Sequence, residues 1–339
     1  MKLGTLKEGG RDGTLIVVSR DLARAVRAIG IAPSLQAALD DWQRVAPLLN
    51  VLSERLDRAD PFPNPAAAGR VAEPFALDMG TLAAPLPRAY EFVDGSAYLP
   101  HVERVRKARG AEMPPGFYTD PLMYQATSAG FCGPRDPVLA ASEDWGIDLE
   151  AEVVVVTDDV PLGVTPAAAA GHIQLVGLVN DVSLRNLIPG ELAKGFGFLQ
   201  SKPRSALSPV LVTPDELGAA WQGHKLHLPM RTWINGRWFG EPDCGTDMQF
   251  SFAELIAHAA RTRPLAAGTL VGSGTIANHD TGKGASCLAE QRTVETLRDG
   301  KPATPFLKFG DVVRIEVLDA AGHSLFGAIE QRIEATGSG

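Results

Sequence analysis

Long hydrophobic runs are missing from this 339-residue chain, and none approaches the ~20 apolar residues that a membrane helix needs. The first ten residues, MKLGTLKEGG, hold no continuous apolar stretch, so neither a spanning segment nor a secretory signal is expected. Cysteine is scarce. Cys132, Cys244 and Cys287 are odd in number and far apart, which supports neither a disulfide framework nor a thiolate metal site and suits a reducing cytosol. Positive charge is also short: 32 Lys and Arg against 40 Asp and Glu leave a net charge of −8. A nucleic-acid backbone needs a Lys/Arg footprint, so that class of partner is excluded. No Gly-x-Ser-x-Gly elbow is present, which argues against a serine hydrolase. The glycine-rich loop Asn278-His279-Asp280-Thr-Gly-Lys-Gly lacks the Lys-Ser/Thr grammar of a phosphate loop.

What is present describes an ordinary globular protein. A composition 45% hydrophobic and 21% charged excludes general disorder. The length suggests about two domains. Glycine at 35 and proline at 25 residues imply many turns and short elements.

Residues 1–30 read as a small β unit, with Leu3–Leu6 and the β-branched run Thr14–Val18 as strands about a Gly9–Gly13 turn. Ser34 is placed to N-cap a helix over 35–58, whose apolar residues recur at three- and four-residue spacing, and Pro47 is expected to kink or split it. Asp60-Pro-Phe-Pro-Asn-Pro is a linker by composition. The boundary is set near residue 80, giving a small N-terminal domain over 1–80 and a larger one over 81–335. In the second unit, 150–157 and 175–181 have strand length, and Asn235-Gly236 marks a hairpin. Residues 308–317 and 325–333 read as an antiparallel pair. Helical patterns cover 101–109, 164–171, 185–194 and 252–262. The expected class is α+β and β-rich.

The segment Asp148-Leu-Glu150-Ala-Glu152-Val-Val-Val-Val carries the most chemistry. Its β-branched run makes a strand, so Glu150 and Glu152 share a face about 7 Å apart, with Asp148 beside them. Like charges so placed repel unless one is protonated or a cation sits between them. A hard divalent ion relieves the repulsion, because Mg²⁺, Mn²⁺ and Ca²⁺ favour carboxylate oxygens. A solvated acidic strand face is the alternative. Asp181 follows an apolar strand where a helix begins, either as a further ligand or as a helix cap.

Four segments in order, Tyr118-Thr-Asp120-Pro, Asp148-Leu-Glu150-Ala-Glu152, Asn180-Asp181-Val-Ser-Leu-Arg185 and Gly272-Ser-Gly274-Thr275-Ile, resemble the fumarylacetoacetate hydrolase family. The resemblance runs from about residue 85 to 333, and residues 1–80 look like the N-terminal domain of the longer, fumarylacetoacetase-like bacterial members. It implies a mixed β-sandwich roll as the catalytic fold. It implies Glu150, Glu152, Asp181 and the upstream Asp120 as ligands to Mg²⁺ or Ca²⁺, with Mn²⁺ a further candidate. Arg185 and Lys202 match residues that both bind substrate and belong to the catalytic set, Thr275 matches one that binds substrate, and Glu290 matches a glutamate of the catalytic set.

One departure stands out. The family places a catalytic histidine seven residues after its upstream aspartate and a tyrosine two after it; counted from Asp120, those positions are Thr127 and Leu122. Tyr98-Leu-Pro-His101 instead resembles the lid motif of shorter members, which makes His101 the candidate base. The third position after it is Arg104 rather than a glutamate, so Glu290 is the residue expected to orient it.

The implied activity is metal-dependent hydrolysis of a carbon–carbon bond in a 1,3-diketo acid, fumarylacetoacetate- or acylpyruvate-like, in aromatic-compound or tyrosine catabolism. The alternatives are a 2-oxo acid decarboxylase, tautomerase or hydratase of the same family, and a non-catalytic metal-binding protein. The expected partner is a small-molecule diketo or 2-oxo acid; the family implies a homodimer, and the cysteine usage suggests a cytoplasmic location.

Overall fold

The structure is a computed structural model that describes residues 1–58, 73–108 and 110–337. The proline-rich linker expected after residue 59 lies outside the described residues, as does Arg109. The class is α+β and sheet-rich. Ten strands form a continuous path in one large sheet, and five more form a second sheet.

The N-terminal hairpin is where its sequence put it, as Lys2–Leu6 against Thr14–Val18, with Arg24–Arg27 added alongside. These strands do not make a sheet of their own. Lys2–Leu6 pairs with Leu211–Val212, which carries the sheet on to Ile173–Asn180, Ala151–Thr157, Leu270–Gly272, Phe92–Gly95 and Met123–Gln125. Two helices, Leu35–Leu39 and Trp42–Arg58, pack against it. The oxygen of Ser34 accepts the Ala37 amide, as a cap should. The helical run breaks at Asp40–Asp41 rather than at Pro47, which sits inside the second helix. There it removes only the bond to the carbonyl of Gln43, a solvent-exposed residue.

Ala151–Thr157 is the centre of the molecule and is buried along its whole length. Its valines alternate between two apolar cores, Val153 and Val155 on one face of the sheet, Val154 and Val156 on the other. The strand is therefore covered on both faces, and the alternative of a solvated acidic face does not hold. The second sheet runs Arg237–Gly240, Arg231–Ile234, Val312–Glu316, Ile329–Ala335, Val138–Ala140. Its hairpin turns at Asn235 (φ 52°) and Gly236 (φ 73°), the left-handed pair that an Asn-Gly turn requires.

Register brings chemistry to one end of the large sheet. Val179 opposes Glu152, Gly272 opposes both Val154 and Asp94, and Asp94 opposes Tyr124. Two helices flank that end: Leu99–Ala108 and Leu288–Asp299. The second was not expected from the sequence. Its N-cap is Cys287, whose Sγ accepts the Glu290 amide at 3.3 Å in place of the usual oxygen cap.

Candidate active site

Three carboxylates, from Asp94, Glu152 and Asp181, lie with one oxygen each within 4.8 Å of the others. Asp94 comes from the end of an apolar strand, Glu152 from the start of the central one, and Asp181 from the residue after Ile173–Asn180. All three are buried. Tyr124 Oη donates to Asp181 at 2.5 Å and Ser205 Oγ donates to its other oxygen at 2.6 Å. The Gly274 amide donates to Asp94 at 3.1 Å. Glu152 is different: both of its oxygens are buried without a hydrogen-bond partner.

A buried carboxylate with no donor is costly, and its environment resists ionisation. Burial first, and then the charges of Asp94 and Asp181, push Glu152 well above the ordinary carboxylate range. Burial and the neighbouring Asp181 raise Asp94 to about 7. A hard divalent cation matches such a set, because it brings positive charge to oxygens that nothing else satisfies. The donors fit it.

Glu150 is held otherwise. It accepts Arg185 Nη2 at 2.6 Å and Lys202 Nζ at 2.7 Å, and Lys202 also donates to Asp181 at 2.7 Å. Burial would raise Glu150, but Arg185 and Lys202 outweigh it and hold the carboxyl far below its usual range. Asp148 does not face the carboxylate group. It accepts Arg185 Nε and the Leu288 and Ala289 amides, tying the start of Leu288–Asp299 to the site.

Asp120 does not join the carboxylates. It follows the surface turn Pro115–Tyr118, its side chain is 68% exposed, and its carboxylate lies 3.5 Å from His258 Nδ1. Asp94 occupies the place expected of it. The signal was available: His101 lies seven residues after Asp94, the spacing that Asp120 fails to give. Thr127, at that failed position, donates to the backbone carbonyl of Lys202 at 2.8 Å.

His101 sits on the first turn of Leu99–Ala108 with Nδ1 2.5 Å from Glu290 Oε2. Arg104, one turn on, binds the other Glu290 oxygen and donates to the carbonyls of Asn278 and His279. Burial would raise Glu290, but His101 and Arg104 outweigh it and keep it ionised. An ionised acceptor fixes the proton on Nδ1 and leaves Nε2 as the free basic nitrogen.

Several groups of the site border one cavity of about 440 Å³. Asp94, Glu150, Arg185, Lys202, His101 and Thr275 all reach its wall. Thr275 Oγ1 is buried with no hydrogen-bond partner. Two glycines allow the close approach of Leu270–Gly272 and the turn after it. A Cβ on Gly272 would lie 2.3 Å from an Asp94 oxygen, and one on Gly274 (φ 76°) would lie 2.1 Å from the Gly95 carbonyl.

The family model for the fumarylacetoacetate (FAA) hydrolase C-terminal domain matches residues 91–334. The chain belongs to the fumarylacetoacetate hydrolase family. The model for fumarylacetoacetase N-terminal domain 2 matches residues 1–88. Among curated relatives, a "putative hydrolase" of Burkholderia cenocepacia is 28% identical over 209 residues, 61% of this chain and 64% of its own length. This chain thus spans less than two thirds of that relative. Maleylpyruvate hydrolase from Sphingobium sp. SYK-6 superposes with a TM-score of 0.65 at 14% identity, covering 99% of this chain and 100% of that one. Fumarylacetoacetate hydrolase from Exiguobacterium antarcticum gives 0.63 at 17% identity, with 99% and 100% covered. A 5-carboxymethyl-2-hydroxymuconate delta-isomerase from Mycobacterium smegmatis gives 0.60 at 16%, with both chains fully covered. At these identities the likenesses establish the fold. Among the described residues, no helix is long and apolar enough to cross a membrane.

Proposed function

We infer that the protein is a divalent-cation-dependent hydrolase that breaks a carbon–carbon bond in a 1,3-diketo acid, of fumarylacetoacetate or acylpyruvate type, in the catabolism of aromatic compounds. One observation carries this reading: the unpartnered Glu152 carboxylate is grouped with Asp181 and with Asp94, and Asp94 borders a cavity that His101, oriented by Glu290, also borders.

Asp94, Glu152 and Asp181, with Glu150 at their edge, would hold Mg²⁺, Ca²⁺ or Mn²⁺. When bound, the ion supplies positive charge that polarises the paired oxygens of a diketone or 2-oxo acid. The remaining work belongs to the chain. His101 Nε2 takes a proton from water as the water oxygen adds to the carbonyl carbon. Glu290 fixes the ring and balances the imidazolium that forms. When the carbon–carbon bond breaks, its electron pair stays with the departing enolate, and the proton on His101 returns to that carbon. Arg185, Lys202 and Thr275 stabilise carboxylate and enolate oxygens where negative charge grows.

Decarboxylation or tautomerisation of a 2-oxo acid would use the same carboxylates without activating water, and the oriented His101 favours hydrolysis over them; hydration shares the need for a base and is distinguished by its product. The homodimer and the cytoplasmic location belong to this reading; sedimentation at micromolar concentration tests the first. The deciding experiment assays acetylpyruvate and fumarylacetoacetate with Mg²⁺ and with chelator, using oxaloacetate as comparator. Diketone cleavage that needs both the cation and His101 supports the proposal. Turnover indifferent to chelator and to His101→Ala refutes it, and release of CO₂ from oxaloacetate without diketone cleavage favours the lyase alternative.

A further inference from the structure

The cavity is longer than the chemistry requires. It runs between two helix faces, one presenting His101, Val105 and Ala108, the other Ala289, Arg292, Thr293 and Thr296. The Ala289 end abuts the site, since the Ala289 amide and Arg185 Nε share the Asp148 carboxylate. From Ala289 to Thr296 the second helix advances about 10 Å at 1.5 Å per residue. Pro302 and Phe306 close the far portion, whose walls are otherwise apolar or hydroxyl-bearing.

Among the described residues, a single cation stands in that far portion. The Arg292 guanidinium lies 4.3 Å over the Phe306 ring and donates from Nη1 to the Thr304 carbonyl. Among the described residues no carboxylate lies within 4.0 Å of it. Glu295, one turn further along, is committed elsewhere: it accepts the Ala303 and Thr304 amides and the Thr304 hydroxyl. A guanidinium presents five donors in a planar fork, and most of those of Arg292 have no protein acceptor. A positive charge with spare donors between apolar walls favours an anion, and a planar fork favours a carboxylate.

We propose that Arg292 is a specificity-determining residue that binds a terminal carboxylate on the end of the substrate remote from the carboxylate cluster, so that the enzyme selects diacids over monoacids. The proposal rests on reading the cavity as a 2-oxo acid site and adds the class of acid.

The test is titration calorimetry in Mg²⁺ with two acids of equal length, 2-oxoadipate and 2-oxohexanoate, which differ in a terminal carboxylate against a methyl. The full-length protein is expected to bind 2-oxoadipate ten- to a hundredfold more tightly. Arg292→Met, which keeps an apolar stem against Phe306, is expected to erase that preference by weakening 2-oxoadipate, with 2-oxohexanoate moving less than threefold. Arg292→Lys should retain part of the preference, and it serves with the wild-type comparison if the methionine variant folds poorly. Equal affinity of the wild type for both acids, or equal weakening of both by Arg292→Met, overturns the role of Arg292 and leaves the reading of the site intact. Binding of neither acid by the wild type overturns both.

Discussion

His101 Nδ1 and Glu290 Oε2 lie 2.5 Å apart although 189 positions separate the two residues in the chain. The pair joins the first turn of one helix to the first turn of another. Arg104 strengthens the join by taking the second Glu290 oxygen and two backbone carbonyls. Orientation of the base thus depends on a helix that enters the chain long after it.

Removal of either partner therefore has distinct consequences. His101→Ala is expected to lower kcat by roughly 10²–10⁴, the usual contribution of a positioned general base. Glu290→Gln should cost less, about tenfold to a hundredfold, because the ring keeps its base but loses its negative acceptor. Steady-state kinetics on acetylpyruvate check both. Calorimetric titration with Mg²⁺ should show unchanged cation affinity in each variant, which separates a base from a ligand.

The Asp94 carboxyl makes the protein without cation sensitive to pH. Its pKa stands at about 7 against an ordinary 3.8. An acid raised on folding leaves the folded state holding more protons than the unfolded chain between those two values. The Asp94 contribution to stability then falls as pH rises from about 4 to about 7 and is flat above that. In chelator, the melting temperature is expected to fall by on the order of 5 °C between pH 5 and 7.5. Mg²⁺ should abolish the fall and release protons on binding, which calorimetry in buffers of different ionisation enthalpy measures. Asp94→Asn should remove this share of the slope without added cation.

Much of this site can be read from the chain, and the failures have physical causes. Glu152 and Asp181 declare themselves because acidic residues at the ends of β-branched runs are hard to bury unpaired. Asp94 is hidden by its surroundings. It follows only Phe92 and Val93 in a short strand, and its role depends on parallel pairing with Gly272, far along the chain. Tyr118-Thr-Asp120 has the better local pattern but folds as a surface turn, and nothing within the segment reports that. Leu288–Asp299 escapes for another reason: a thiol caps it and few of its residues are apolar, so neither the start nor the period is visible. Arg185 and Lys202 are legible as cations near the carboxylates. That both bind Glu150 requires the folded register.

Glu191 gives the opposite pH signature in a lower window. Its carboxylate accepts the amides of Leu199, Gln200 and Ser201 and the Ser201 hydroxyl, fixing the turn that delivers Lys202. Burial would raise its pKa, but the Ser201 hydroxyl and the three amides outweigh it and bring it to about 2 from an ordinary 4.5. A depressed acid contributes stability above its unfolded value and loses it as pH falls toward the folded one. Glu191→Gln is therefore expected to lower stability at neutral pH and to reduce the acid sensitivity between about pH 4.5 and 2. It should also raise KM more than it lowers kcat, because Lys202 is displaced while His101 is not. Acid denaturation followed by circular dichroism, together with kinetics at pH 7.5, checks both halves.

Gly274 tests the close approach on which the carboxylate group depends. Its φ of 76° is left-handed, and a Cβ there would lie 2.1 Å from the Gly95 carbonyl oxygen, a backbone atom in a paired strand. Gly300, which ends Leu288–Asp299 with φ 78°, has nothing within 4 Å of the same position. Alanine at Gly300 should cost about 1 kcal/mol, the left-handed penalty alone. Alanine at Gly274 meets that penalty and a clash that only movement of the strand carrying Asp94 can relieve, for a total of roughly 3 kcal/mol or more. The Gly274 amide also donates to Asp94, so this movement should weaken Mg²⁺ binding as well as lower the melting temperature. Urea unfolding and cation titration of the two variants separate backbone strain from the clash. If Gly274→Ala costs no more than Gly300→Ala, the two segments are not packed as closely as this architecture requires.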